Sequence, residues 1–472
     1  MVLEVLKVEK NNKNGVGTMS DYTKIKTPGV YIEEKTVVPD SVSGVSTAVP
    51  AFIGYTEIAG VNGDLFGKPT KIRTIKEYEQ SFGTRTETIT VDATSNSSIT
   101  VEIAAPARLM YYSMQMFFDN GGESCYIVAL NETETGKTEL KKFQDAIDSL
   151  EFEDEPTLIV LVDVVNMATE DYYSLCKQVL TQCGEMKDRF ALLDVKQDTT
   201  EDEIVTFRTK IGTENLKYGA AYYPYLQSSL KYRYNEDSIN VTYLNAEGTE
   251  TTKTLSSTEI KDAQTQLYNK IKDEINKFSI VLPPCAAVAG AYASVDRDRG
   301  VWKAPANVSL ASVIGPTKKL TESENDGLNV DQDTGKSINA IRTFTGKGTL
   351  IWGARTLEGN SNEWRYVPVR RLFNYVEESI KKATAFAVFE PNTAMTWLKL
   401  RSMIESFLDA LWRQGALAGG NPEDAFFVQV GLGTTMTSQD ILEGRLIIKV
   451  GLAAVRPAEF IILEFTHKLQ QS

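Results

Sequence analysis

The sequence predicts a mixed α/β (α+β) protein: a large doubly wound α/β domain, then a C-terminal α/β domain, with an extended arm at each end. Three observations carry this. Apolar strand-like runs alternate with helical patterns between residues 125 and 226. Two long amphipathic helices and a set of strands follow past residue 300. And "TPGVYIEE" (27–34) and 460–467 read as extended segments with no hairpin partner nearby.

The chain has 472 residues, 42% hydrophobic and 24% charged, ordinary for a globular protein of roughly two to four domains. A net charge of −13 argues against wholesale nucleic-acid binding, which needs a basic footprint. Cys125, Cys176, Cys183 and Cys285 have no CxxC spacing and read as reduced, buried thiols of a protein made in the cytoplasm. The N-terminus lacks the apolar core and cleavage site of a signal peptide. "IVLPPCAAVAGAYASV" (280–295) is too short to span a bilayer and carries two prolines, so no direct membrane insertion is expected.

Residues 1–18 read as a flexible extension, with Met19 a second plausible start. Residues 19–50 form an N-terminal arm and linker. The first domain is expected over 51–325. It starts with a buried strand in "AFIGYTEIAG" (51–60), then a strand and short helix over 69–83. Alternating "TETITVDATSNSSITVEIA" (86–104) predicts a solvent-exposed hairpin. A helix follows at 107–119, then strand "ESCYIVAL". The continuous apolar run 155–165 marks a strand covered on both faces. A helix near 170–184 and strands at 188–195 and 218–226 complete the alternation.

A second hairpin insertion is expected at 239–254. Ile260, Ala263, Leu267, Ile271, Ile275 and Phe278 then mark one amphipathic helix. The C-terminal domain is placed at 326–472. It has a strand at 348–357, a helix at 369–389 and a helix at 393–414 capped by Asn392. Leu400, Ile404, Phe407, Leu408 and Leu411 face inward. Final strands lie in "AFFVQVG" and in the C-terminal arm, 446–468.

The sequence offers little chemistry. His467 stands near the end of a presumed strand, a poor place for a preorganised catalytic group. "DTGKS" (333–337) lacks the first glycine of a phosphate loop, since that position is Val330. "DQDTG" (331–335) lacks the later ligands of a calcium loop. Asp163 and Asp194 end strands where α/β enzymes place acids, but such residues also cap loops. The five tryptophans, all past residue 300, suit either core packing or subunit contacts. No catalytic, cofactor or metal residues are assigned.

Several strings taken in order resemble the contractile tail sheath family: "PGVYIEE" with "SGVSTAVPAFIGYT"; "FFDNGGESCYIV", "DRFALLDV", "YGAAYYPYL" and "DRGVWKAPAN"; then "GTLIWGARTL", "WRYVPVRRLFNYVEESI", "VFEPN", "LWRQGALAGG", "AFFVQVG" and "RPAEFIILEF". They run from about 27 to 467. The resemblance implies a structural, non-enzymatic subunit that stacks into a helical homo-oligomer around an inner tube and contracts from a metastable state. It implies an inner C-terminal sheath domain and an outer α/β domain. Inner tube, baseplate, terminator and possible sister sheath proteins are the implied partners, in a phage tail-like particle released outside the cell.

The extended segments then suit inter-subunit strand exchange through Val30, Tyr31, Ile32 and Glu33, and through Phe460, Ile461, Ile462, Leu463 and Phe465. Lys381, Lys382, Lys399 and Arg401 are the candidate inner-tube contacts. The expected particle is an extracellular contractile injection system. A contractile phage or tailocin tail sheath is the alternative, and an α/β enzyme using Asp163 or Asp194 the rival from another class.

Overall fold

Pro50–Tyr55 is buried along its whole length, and its side chains explain why. Phe52 meets Phe117 of the helix Met110–Asp119, ring centres 5.1 Å apart. Tyr55, three residues on and so on the opposite face, meets Phe143 of the helix Leu140–Ser149 at 5.6 Å. Helices therefore cover both faces. The computed structural model describes residues 41–462, apart from 85, 95–98, 104–107, 132–138, 198–201 and 246–247. The N-terminal arm lies outside them.

The strand belongs to a nine-stranded sheet. Its centre is six parallel strands in the order Asn339–Phe344, Gly219–Tyr223, Phe190–Asp194, Leu158–Leu161, Pro50–Tyr55, Cys125–Leu130. Thr70–Ile72 closes one edge antiparallel. Gly348–Ile351 and then Val308–Ser309 close the other. The apolar runs expected as doubly covered strands occupy the middle, where parallel strands must be buried. The sheet crosses the boundary expected at 325/326 and continues to Ile351. The C-terminal core begins later, in the helix Val367–Thr384.

The stretch with too few apolar residues for a membrane span forms the helix Cys285–Arg299, buried nearly all round. It packs on Met110–Asp119 so closely that a Cβ on Gly290 would stand 2.4 Å from the Phe117 carbonyl oxygen. Only glycine allows that approach. Among the described residues no helix is long and apolar enough to cross a membrane.

The hairpins depart from expectation. Ile89–Ala93 with Thr100–Ile103, and Asn240–Leu244 with Glu250–Thr254, do form. They are not separate exposed hairpins: Ile89–Ala93 pairs in parallel with Asn240–Leu244, giving a four-stranded sheet. Ile89, Val91, Val241 and Tyr243 point to one face, against Ile260, Ile271 and Ile275. Each hairpin alone would leave that face wet, and an isolated hairpin is marginal at best. The expected helix over them is broken into Thr258–Lys261 and Thr265–Ile275. The Thr265 hydroxyl donates to the carbonyls of Lys261 (3.3 Å) and Asp262 (3.2 Å), competing with the helical pattern. Phe278, expected inward, is exposed.

The C-terminal core is built by Val367–Thr384 and Ala394–Arg413. Leu372 and Val376 meet Ile404, Phe407, Leu408 and Leu411, with the inward set as expected. Each such side chain contributes roughly 1.5–3 kcal/mol of burial. Asn392 does not cap the second helix. Its amide oxygen accepts from Trp397 Nε1 (2.6 Å) and its amide nitrogen donates to the Arg445 carbonyl (3.0 Å), leaving Thr393 at the cap without a side-chain bond.

Candidate assembly surfaces

In doubly wound sheets ligands enter where the strand order reverses, here beside Pro50–Tyr55. That crevice is closed by Asp163. Its backbone is left-handed (φ 69°), and its carboxylate accepts from the backbone nitrogens of Tyr55 (2.9 Å) and Leu109 (2.5 Å). Asp194 is equally committed: it accepts from the Cys285 nitrogen (2.9 Å) at the start of a buried helix. Burial pushes its carboxyl up to about 7. Burial likewise raises all four thiols, which are free and enclosed. Both aspartates thus act as backbone caps.

The polar loop 331–337 is also structural. Lys336 Nζ donates to the Arg208 carbonyl, and Asp331 pairs with Arg208 at 3.6 Å. Among the described residues no group of three or more His, Cys, Asp or Glu could hold a metal. His467 lies outside them.

The surfaces that remain open concern chain edges. Phe426–Gln429 and Lys449–Leu452 form a two-stranded antiparallel ribbon. Its register brings Gly451 opposite Phe427, where a Cβ would come within 2.2 Å of the ring. Val428 anchors the ribbon in the C-terminal core. The outer edges of both strands have no further strand beside them among the described residues. A groove of about 560 Å3 runs between Phe426–Gln429 and Arg401, Glu405 and Asp409 of the second helix. Exposed strand edges are templates for another chain.

After the ribbon the chain changes partners. Val455 N still donates to the Ala416 carbonyl (3.3 Å) in the C-terminal core. Four residues on, the Glu459 carboxylate accepts from Arg355 Nε (2.9 Å) and a terminal guanidinium nitrogen (2.6 Å), from Asn329 Nδ2 (2.6 Å) and from the Tyr366 hydroxyl (3.1 Å). Half-burial opposes its charge, yet Arg355 and Asn329 hold the carboxyl below its usual range. Beyond it Phe460, Ile461 and Ile462 are 68%, 79% and 84% exposed. Leu463 and Phe465 lie outside the described residues, as do Val30, Tyr31, Ile32 and Glu33.

Lys381, Lys382, Lys399 and Arg401 gather at one end of the helical pair. Lys399 Nζ lies 4.4 Å from the Phe386 ring centre. Three of the four have acidic partners in their own chain: Lys381 with Glu378 (3.0 Å), Lys382 with Asp154 (2.7 Å) and Arg401 with Glu405 (2.8 Å). Between them the turn exposes Val388, Phe389, Met395 and Leu398. Phe389 is fully exposed and left-handed (φ 70°), an unfavourable place for a bulky side chain.

The sequence reading missed the polar stripe of Val367–Thr384. Arg371 pairs with Asp296 of the helix Cys285–Arg299, and Asn374 Nδ2 donates to the Arg189 carbonyl (3.1 Å). Arg370 lies over the Trp364 ring at 4.3 Å. This face joins the C-terminal core to the sheet domain. The signal was present: Arg371, Asn374 and Glu378 repeat every three and four residues, in step with Leu372 and Val376.

A mixed α/β sheet domain, a helical C-terminal core and an open ribbon define the class: a subunit offering chain edges rather than a reaction centre. Comparison with known proteins gives the family. Residues 136–357 match the phage tail sheath protein central domain and 360–468 the phage tail sheath C-terminal domain. The sheath of PVC, an extracellular contractile injection system, in its contracted state is similar at 34% identity and TM-score 0.65, covering 94% of this chain and 98% of that one. The contracted helical sheath of the anti-feeding prophage is similar at 31% identity and TM-score 0.65, covering 94% and 100%. Tail sheath proteins of Vibrio phage KVP40 and Enterobacteria phage T4 are 25% and 26% identical over 141 residues, 30% of this chain. Those matches span only about a fifth of the phage proteins' lengths, 21% and 20%. The chain belongs to the contractile tail sheath family.

Proposed function

We propose that this chain is the repeating subunit of a contractile sheath. Copies polymerise helically around a rigid inner tube and shorten from a metastable extended state, driving the tube through a target envelope. The observation that carries this reading is the ribbon Phe426–Gln429/Lys449–Leu452, with both outer edges open in a chain that has a strand-like segment near each end. Strands centred on Val30, Tyr31, Ile32 and Glu33, and on Phe460, Ile461, Ile462, Leu463 and Phe465, add to ribbon edges of other copies. Backbone hydrogen bonds, each contributing a net ~0.5–1.5 kcal/mol, link the copies while the linkers rotate. A head-to-tail contact of this kind generates a helical tube.

In this reading the C-terminal domain and the N-terminal arm form an inner mesh, and the sheet domain lies outside. The end of the helical pair carrying Lys381, Lys382, Lys399 and Arg401 faces the tube. Baseplate, terminator and possible sister sheath proteins complete the particle. Contraction uses two packings of different free energy and needs no nucleotide. Likeness to the PVC and anti-feeding prophage sheaths supports an extracellular contractile injection system, made in the cytoplasm and released. The KVP40 and T4 relatives favour the second reading, a phage or tailocin tail sheath.

Negative-stain microscopy of the purified chain tests this: long striated tubes are expected, and a discrete monodisperse particle would count against it. Deleting 19–36 should leave a folded subunit that no longer polymerises. Particles isolated from producing cells separate the two readings, since a phage carries a nucleic-acid-filled head.

A further inference from the structure

The C-terminal segment leaves the molecule from a different body than the one its last strand belongs to. Lys449–Leu452 is part of the ribbon, and Val455 is tied to Ala416 of the C-terminal core. Glu459 is tied elsewhere. Arg355, its ion-pair partner, donates its backbone nitrogen to the buried Asn339 side chain (2.8 Å), on a strand of the nine-stranded sheet. Leu357 N donates to the carbonyl of Gly219 (2.8 Å), on the neighbouring strand. Asn329 is fixed beside it, its carbonyl accepting from Ser337 Oγ (2.6 Å). Arg355 is 4% exposed and Glu459 20%, so water competes little for the pair.

We propose that Glu459 is the positioning residue at the root of the C-terminal arm. It bolts the arm to the sheet domain, so that tension carried by the arm is delivered to that domain and not to the ribbon. This rests on the reading of residues 460 onward as an inter-subunit strand. Two anchors four residues apart, Val455 on the C-terminal core and Glu459 on the sheet domain, make the short bridge 456–458 a strap across the two bodies. The strap fixes the direction in which Phe460 leaves. With Glu459 released, the arm would swing from Val455.

The test uses the full-length chain carrying Glu459→Gln, which removes the charge and keeps the shape. Amide exchange over 456–462 is expected to quicken at least tenfold in the monomer, with exchange in the ribbon 449–452 unchanged. Sedimentable tubes should fall about tenfold. A merely structural role would instead loosen the ribbon and the C-terminal core together. Unchanged exchange at 456–462, or faster exchange with normal tube yield, overturns the proposal. If Glu459→Gln fails to fold, Tyr366→Phe, which removes only the 3.1 Å hydroxyl bond, should give a smaller change of the same kind; no change in exchange or yield would then overturn it. Deletion of 460–472 separates the premises. If the deleted chain still polymerises, the strand reading itself fails. If deletion abolishes tubes and Glu459→Gln does not, the clamp alone fails.

Discussion

Arg371 and Asp296 form an ion pair enclosed between two helices, with contacts of 2.5 and 3.0 Å and side chains only 3% and 4% exposed. Arg371 also donates to the Thr47 carbonyl (2.9 Å), so one guanidinium holds the linker before the first strand, the buried helix Cys285–Arg299 and the helix Val367–Thr384 together. Burial opposes its charge, but Asp296 keeps it firmly protonated.

Arg371→Ala should therefore cost about 3–5 kcal/mol, because Asp296 is left charged and enclosed without a partner. Thermal unfolding of the purified chain measures it. The double variant Arg371→Met/Asp296→Leu should recover most of the loss, since a well-packed apolar pair often equals a buried ion pair. Equal losses in the single and double variants would mean that the Thr47 contact, not the ion pair, dominates.

Asp194 gives a stability contribution with a defined sign. Its folded carboxyl titrates at about 7, far above the unfolded value near 3.9. The folded chain thus takes up a proton that the unfolded chain does not. That contribution is fully present below about pH 4 and is lost as pH rises through 7. Asp194→Asn keeps an acceptor for the Cys285 nitrogen and cannot titrate. The difference in unfolding free energy between wild type and Asp194→Asn should therefore change between pH 5 and 8, with wild type losing ground as pH rises.

Phe389 holds a left-handed backbone while fully exposed. Phe389→Asn should raise stability by about 1 kcal/mol, because asparagine tolerates that conformation and no packing is lost. Unfolding in urea is the measurement. A fall in stability would show that the ring is packed in solution.

Gly451→Ala drives a methyl group into the Phe427 ring. The expected cost is about 1–3 kcal/mol, confined to the ribbon. Far-UV circular dichroism should change little and tube formation should drop sharply. The pair Gly451→Ala/Phe427→Ala relieves the clash and should restore part of the tube yield.

Much of the sheet was legible because a strand covered on both faces must be continuously apolar, as in "TLIVLV" and "RFALLD". The inward set on Ala394–Arg413 was legible from its helical period. Pairings between distant segments were not. Nothing local to Ile89–Ala93 specifies Asn240–Leu244 as its neighbour, since alternation fixes a face and not a partner. The Asn392 cap failed for a related reason: a tertiary bond to Trp397 outcompeted the local one. Of the candidate surfaces, the exposed arm residues Phe460–Ile462 were legible as unpartnered apolar residues. The Arg355–Glu459 clamp was not, because its two halves stand 104 positions apart.

The parallel pairing of Ile89–Ala93 with Asn240–Leu244 has an evolutionary corollary. The small sheet's core draws on both insertions and on the helices that follow the second. Losing the first would bare Val241 and Tyr243 along a new edge; losing the second would strip Ile89 and Val91 of their cover. Two stretches of coding sequence well apart on the chain are thus bound to a common fate, gained or discarded as a set, and a graft between related subunits must carry both pieces to succeed.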